Sequence, residues 1–158
     1  MSVAFRREGD DEHMESKFEL PIPAGPNVVT ARGLALIRAK LAELEARLPA
    51  IDGEEAVKKA RRELRYWGTR QSTAQLMDRP DSSTVAFGAT VTIRLGGKLR
   101  EVTIVGDDEA DPASGLISFS APLSRAVLGG EVGELIDFAS KIEAIEIVAI
   151  SVRDDLWA

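Results

Sequence analysis

The chain has 158 residues, of which 44% are hydrophobic and 29% charged, with a formal net charge of −6. That length fits one or two small domains with a real core, and no apolar run approaches the roughly 20 residues that span a membrane. With no cysteine, disulfides and thiolate metal sites are excluded, and the single histidine, His13, sits in a polar stretch, which argues against a zinc site or a Ser-His-Asp triad.

The charge is unevenly spread. Residues 1–29 hold 3 basic and 6 acidic side chains, residues 30–79 hold 11 and 7, and residues 80–158 hold 6 and 13. Only the middle of the chain is suited to face nucleic acid. The acidic C-terminal part favours a basic protein surface. The first ten residues lack the apolar core of a secretion signal, and the absence of cysteine fits a cytoplasmic protein.

Residues 1–19 are charged and poor in apolar side chains, which predicts a disordered arm. Leu20 to Asn27 holds three prolines and reads as an extended lead-in. Residues 1–29 together form the arm.

Thr30 is a good N-cap for a helix starting at Ala31. Leu34, Ile37, Leu41, Leu44 and Leu48 follow at spacings of 3, 4, 3 and 4, a coiled-coil seam. Pro49 and Asp52-Gly53 interrupt it. Asp52 can cap a second helix, and Glu54 and Glu55 suit its positive end. Val57, Ala60, Leu64, Trp67, Gln71 and Ala74 continue the same seam spacing. Two matched seams on a short connection predict an antiparallel hairpin over residues 30–79, each arm about 30 Å long at about 1.5 Å per residue. The competing reading is an intermolecular coiled coil. Trp67 reads as seam filler, and Gln71 as a polar interruption near the base.

Arg79 to Ser83 is a linker of turn formers. Val91, Ile93 and Leu95 alternate with polar residues, as a half-buried strand does. Gly96-Gly97 turns into a partner strand, Leu99 to Val105. Gly106 to Gly115 is turn chemistry with four acids. Leu116, Ile117 and Phe119 resume a strand. Pro122 suits the start of a short helix, and Gly129 its stop. Glu134 to Phe138 and the β-branched run Ile142 to Val152 complete the sheet. Residues 80–158 are thus expected to form an antiparallel sheet with one short helix, making the whole chain α+β.

The wording of this part carries a resemblance. Val105-Gly106-Asp107-Asp108-Glu109-Ala110-Asp111, then Ile117-Ser118, then Pro122 to Gly129 resemble the C-terminal domain of the Gre (GreA/GreB) family of bacterial transcription elongation factors. Phe87 to Val91 resembles the family's entry to that domain. Ala121 and Ser124 depart from the usual Ser and Ala or Gly. The resemblance implies an FKBP-like fold for residues 80–158. It also implies binding to bacterial RNA polymerase, with a coiled-coil hairpin entering the secondary channel.

In that family, acids at the hairpin tip help hold magnesium and water at the polymerase centre, so that the polymerase cleaves backtracked RNA. No segment like the family tip is present, and the distal hairpin looks deleted. Asp52, Glu54 and Glu55 instead place three carboxylates at a shortened tip. They read either as metal-proximal residues or as helix-capping acids. Asp107, Asp108, Glu109 and Asp111 lack the alternation of a calcium loop and read as a structural turn or docking surface. By resemblance, Pro122 and Leu123 join the polymerase contact. Lys58, Lys59, Arg61, Arg62 and Arg65 face either nucleic-acid phosphates or solvent.

The expectation is a monomeric RNA polymerase regulator that is not itself an enzyme, does not stimulate cleavage, and holds no cofactor or metal of its own. RNA or DNA within the transcription complex is a further contact, and no membrane is involved. Two alternatives stand beside it. One is an FKBP-fold peptidyl-prolyl isomerase, for which Phe87, Phe119, Phe138 and Trp157 are the available aromatics. The other is a Gre relative of the nucleoside-diphosphate-kinase-regulator type.

Overall fold

A computed structural model describes residues 19–158. The expected arm over residues 1–19 lies outside the described residues save for Glu19, and so does His13. The chain divides into two compact units. One comprises Arg38–Ser72 with the stretch ending at Gly25, and the other Pro26–Ile37 with Thr73–Ala158.

Helix α1 runs Ala31–Arg47 and α2 runs Glu54–Thr73, joined by a 3-10 turn at Leu48–Ala50. Thr30 caps α1 as its residue type predicts, its Oγ1 accepting the Gly33 N–H at 3.0 Å. Pro49 cannot continue the helix. Of the apolar seam, Ile37, Leu44 and Ala60 are buried, and Leu34, Leu41, Leu48, Val57, Leu64 and Trp67 are half-buried. On α2 the cover extends beyond the seam, with Arg62, Glu63 and Tyr66 half-buried and Arg70 buried. Gln71, the polar interruption, is exposed. Within the first unit, Arg47 near the end of α1 pairs with Glu63 of α2 at 3.9 Å.

The second unit holds two sheets. Strands β1 (Val28–Val29) and β2 (Gln75–Leu76) pair in parallel, two residues each. The larger sheet uses β3 (Thr90–Leu95), β4 (Lys98–Val105), β5 (Leu116–Ser118), β6 (Leu135–Phe138) and β7 (Lys141–Ser151). Their order is β5-β4-β3-β7-β6. Helix α3, Pro122–Val127, lies between β5 and β6 in the chain.

Strands β3 and β4 form the expected hairpin, with Thr90 opposite Thr103 and Leu95 opposite Lys98. Its two-residue turn has φ of +59° at Gly96 and +77° at Gly97, the left-handed pair that a type I′ turn requires. The sheet is mixed, which corrects the expectation of an all-antiparallel one: β5 runs parallel to β4, Thr103 opposite Leu116 and Val105 opposite Ser118. The physical reason is the acidic turn, which carries the chain back alongside β4 before β5 begins.

That pairing also explains a break in β4. Lys98 to Glu101 are exposed, and Val102 to Val105 are all buried, where β5 covers the sheet edge. The core packs Val91 and Ile93 of β3 with Val102, Ile104, Ile117, Leu123, Val127, Ile145 and Ile147. Burying each such side chain stabilises by about 1.5–3 kcal/mol. The buried hydroxyls of Thr90 and Thr103 satisfy each other at 2.8 Å.

Candidate functional site

The acidic turn after β4 does not present its four carboxylates together. Gly106 comes first, and a Cβ there would lie 2.5 Å from the Val28 carbonyl oxygen, so the turn's close approach to β1 requires glycine. Glu109 then turns inward and is only 5% exposed. Its Oε1 accepts the Thr30 hydroxyl at 2.6 Å, and its Oε2 accepts Arg32 Nη1 at 2.9 Å. A Cβ on Gly33 would lie 2.8 Å from Glu109 Oε1. The first turn of α1 carries no acid of its own. Glu109 supplies one from 79 residues away, where the helix's positive end favours it. Glu109 is thus an internal anchor and offers no carboxylate to a partner, unlike the surface residue expected.

Asp107 and Asp108 are half-buried, and Asp111 is exposed. Asp107 Oδ1 accepts Ser118 Oγ at 2.6 Å and Ser120 Oγ at 3.4 Å. Ser124 Oγ, fully buried at the start of α3, donates to the Ser118 carbonyl at 2.6 Å. This chain of hydroxyls ties the acidic turn to the N-terminus of α3. Pro122, exposed, follows two residues past Ser120. Leu123 points the other way and is part of the core, so it contributes packing and no exposed side chain. Asp107 is thus tied to the segment leading into α3, in which Ser120 and Pro122 are exposed. Ser120 and Arg32 carry no expectation from sequence, while Thr30 is expected only as a helix cap and Ser118 and Ser124 enter only through the motif. A serine spaced two residues from the next, beside an acid-rich turn, is the local signal for Ser118 and Ser120.

In the first unit, Asp52, Glu54 and Glu55 are all exposed at the junction of the helices. Glu54 pairs with Lys58 one turn on, at 3.4 Å, as acids and bases four apart on a helix do. Among the described residues no cluster of three or more acids or histidines is placed to hold a metal ion. Of the five basic residues on α2 singled out from sequence, Lys58 is engaged with Glu54, and Arg65 Nη2 and Nε donate to the Glu19 carboxylate. The Arg65 guanidinium holds the Glu19 carboxyl below its usual range, and Glu19 raises Arg65 in turn. Arg62 is half-buried, while Lys59 and Arg61 are exposed.

Comparison with known proteins decides the family. The family profile described as Transcription elongation factor, GreA/GreB, C-term matches residues 80–152. A Verminephrobacter eiseniae protein named transcription elongation factor GreA is 30% identical over 159 residues, spanning 96% of this chain and 99% of its own. The chain belongs to the GreA/GreB family of transcription elongation factors. The Desulfovibrio desulfuricans GreA is 31% identical over 132 residues, covering 67% of the Gre chain here and 80% of itself. With the Thermomicrobium roseum GreA, identity rises to 43% over 65 residues, but the Gre chain then spans only 42% of that relative's length. Among solved structures, the GreA factor homolog 1 (Gfh1) protein of Thermus thermophilus aligns at a TM-score of 0.38 and 18% identity, over 80% of this chain and 99% of that one. The GreA/GreB structure from Nitrosomonas europaea gives 0.39 and 18%, over 78% and 98%. These superpositions are weak, and membership rests on the sequence relatives.

Proposed function

We propose that the chain binds bacterial RNA polymerase as a Gre-type regulator of elongation, working in the cytoplasm as a monomer, without stimulating transcript cleavage. The observation that carries the reading is the identity with a GreA protein over nearly the whole of both chains. In this reading residues 30–79 form a coiled-coil hairpin and residues 80–158 an FKBP-like domain. The buried seam positions Ile37, Leu44 and Ala60 support the first, and the five-stranded sheet with α3 agrees with the second. The docking face is Asp107, Asp108, Asp111 and Pro122, with Ser120 added and with Leu123 and Glu109 acting from beneath. Its acids would meet basic side chains on the polymerase. The hairpin enters or obstructs the secondary channel, and Lys59 and Arg61 are the residues best placed to face phosphates there.

Non-cleavage is supported by the tip. Helix α1 has 17 residues, about 26 Å at about 1.5 Å per residue, and of the exposed junction carboxylates Glu54 is already paired with Lys58. A carboxylate must touch the metal or its water to activate the attack. The isomerase alternative is not carried forward: the cavity beside α3 has no aromatic in its lining, which such a pocket needs.

Two assays test the proposal. In a titration of fluorescent protein against core polymerase, Pro122→Ala with Asp108→Lys should raise Kd at least about tenfold, a loss of about 1.4 kcal/mol. Unchanged affinity sinks the docking face. In the second, stalled complexes with 3′-labelled RNA are incubated with protein and magnesium. Short 3′ fragments that vanish with Asp52→Ala or Glu54→Ala/Glu55→Ala would overturn the non-cleaving reading.

A further inference from the structure

Helix α3 begins at Pro122 in the docking face and ends at Val127 beside a different feature. There an open groove of about 490 Å³ runs between the loop after α3 and strand β6. Its lining includes Leu128, Gly130, Leu135 and Ile136, with Glu134 and Asp137 alongside. Leu128 is 37% exposed and Leu135 53%, unusual for large apolar side chains flanking one groove.

Strand β6 is the last strand of the five-stranded sheet, so one of its edges pairs with no other strand. A free edge offers backbone donors and acceptors to an incoming strand. Natural edges are often protected by charge, and acids predominate beside this one. Glu131, Glu134 and Asp137 lie on or just before β6, while Lys141, Glu143 and Glu146 lie on β7, where Glu146 pairs with Arg94 of β3 at 3.4 Å. Two of the acids are held in place: Glu134 Oε1 accepts the Glu131 N–H at 3.1 Å, and Asp137 Oδ1 accepts the Glu143 N–H at 2.8 Å. A carboxylate accepting one N–H keeps its charge and its other lone pairs. The edge therefore combines an apolar slot, a free backbone and a fixed negative rim.

These features choose among occupants. A nucleic-acid backbone is repelled by the acids. A second copy of β6 would set Glu131, Glu134 and Asp137 against the same three acids, which disfavours self-pairing. A strand alternates its side chains between two faces, so apolar residues can enter the slot while the residues between them reach the rim. We propose that the β6 edge takes an extended segment of a partner protein by strand addition, a segment alternating apolar residues with lysine or arginine. The site is separate from the polymerase-docking face and does not depend on it.

The test uses the full chain. A displayed library of random eight-residue peptides is selected on the wild type, and the winners are titrated against Leu135→Lys and, as a control at the exposed start of β4, Leu99→Lys. Both positions are exposed, so both variants should fold. The expected winners alternate apolar and basic residues, bind Leu135→Lys at least about tenfold more weakly, and bind Leu99→Lys unchanged. Amide exchange at Leu135 to Phe138 should slow on binding. Failure to enrich such peptides, enrichment of acidic ones, or equal binding to Leu135→Lys overturns the proposal.

Discussion

Truncating Glu109 tests the claim that a distant acid completes the first turn of α1. Glu109→Ala removes the acceptor of the Thr30 hydroxyl, a 2.6 Å bond between buried groups. A buried hydrogen bond to a charge is worth about 1.5–3 kcal/mol. The pair with Arg32 adds little, because the Arg32 side chain is 38% exposed, and solvent screening leaves it at about 0.5 kcal/mol. The acid at the helix N-terminus adds about 0.3–1 kcal/mol. The sum is about 2.3–4.5 kcal/mol. Glu109→Gln keeps an acceptor and should cost roughly half as much. Arg32→Ala should cost under about 1 kcal/mol. Urea unfolding followed by Trp157 emission in a Trp67→Phe background reads the second unit, because Trp157 packs on Val105, Leu116 and Leu156. The cycle with Thr30→Val should show a coupling of at least about 1 kcal/mol. A Glu109→Ala cost below about 0.5 kcal/mol, or no coupling, would refute the account.

Three further outcomes follow from the same geometry. Leu44→Asp places a carboxylate at a seam position that is 4% exposed, and should melt the helical unit by more than about 3 kcal/mol while amide exchange in β3 and β4 stays slow. Gly88→Ala should destabilise the sheet unit by about 1–3 kcal/mol, since φ is +85° there and a Cβ would lie 2.4 Å from Trp157 Cζ2; a red shift in Trp157 emission would accompany it, and unchanged emission counts against the contact. Arg153 donates to Asp155 at 2.7 Å and holds its carboxyl below the usual aspartate range. A lowered folded-state pKa means the pair's contribution is present above the unfolded value and fades as pH falls through the folded one. Carboxyl-carbon NMR should show Asp155 titrating at a lower pH than in Arg153→Ala, and identical midpoints would remove the pairing.

The helices, the β3–β4 hairpin and α3 were legible because each is written in local code. The 3-4 seam spacing marks α1 and α2, Gly96-Gly97 marks a tight turn, and Pro122 marks a helix start. The direction of β5 was not legible, since an apolar triplet such as Leu116 to Ser118 has the same period parallel or antiparallel, and only the path of the turn decides. Strands β1 and β2 escaped because two residues carry no period, and their pairing joins Val28 to Gln75. In the site, Asp107 and Pro122 came from motif wording, yet nothing in Asp107-Asp108-Glu109-Ala110-Asp111 says that Glu109 alone turns inward. That depends on Thr30 and Arg32, whose position beside the turn is tertiary. Leu123 shows the same limit, since its neighbour Pro122 is exposed and only the packed sheet tells which way each faces.

The position of β7 has a consequence for synthesis. It is penultimate in the sheet order but pairs along the whole of β3, Thr90 with Ser151 and Leu95 with Ile145. As the chain leaves the ribosome, α1 and α2 meet through contacts close in sequence and form early. Strands β3 and β4 follow as a hairpin, then β5 beside β4. Throughout that interval one side of β3, with Val91 and Ile93, waits for a partner some fifty to sixty residues downstream. The nascent sheet is then a template for any passing strand, and the vulnerable period ends only when residues 145–151 clear the tunnel. Pausing by the ribosome before that point would lengthen the exposure, and truncated chains would accumulate as aggregates while the helical unit stayed folded.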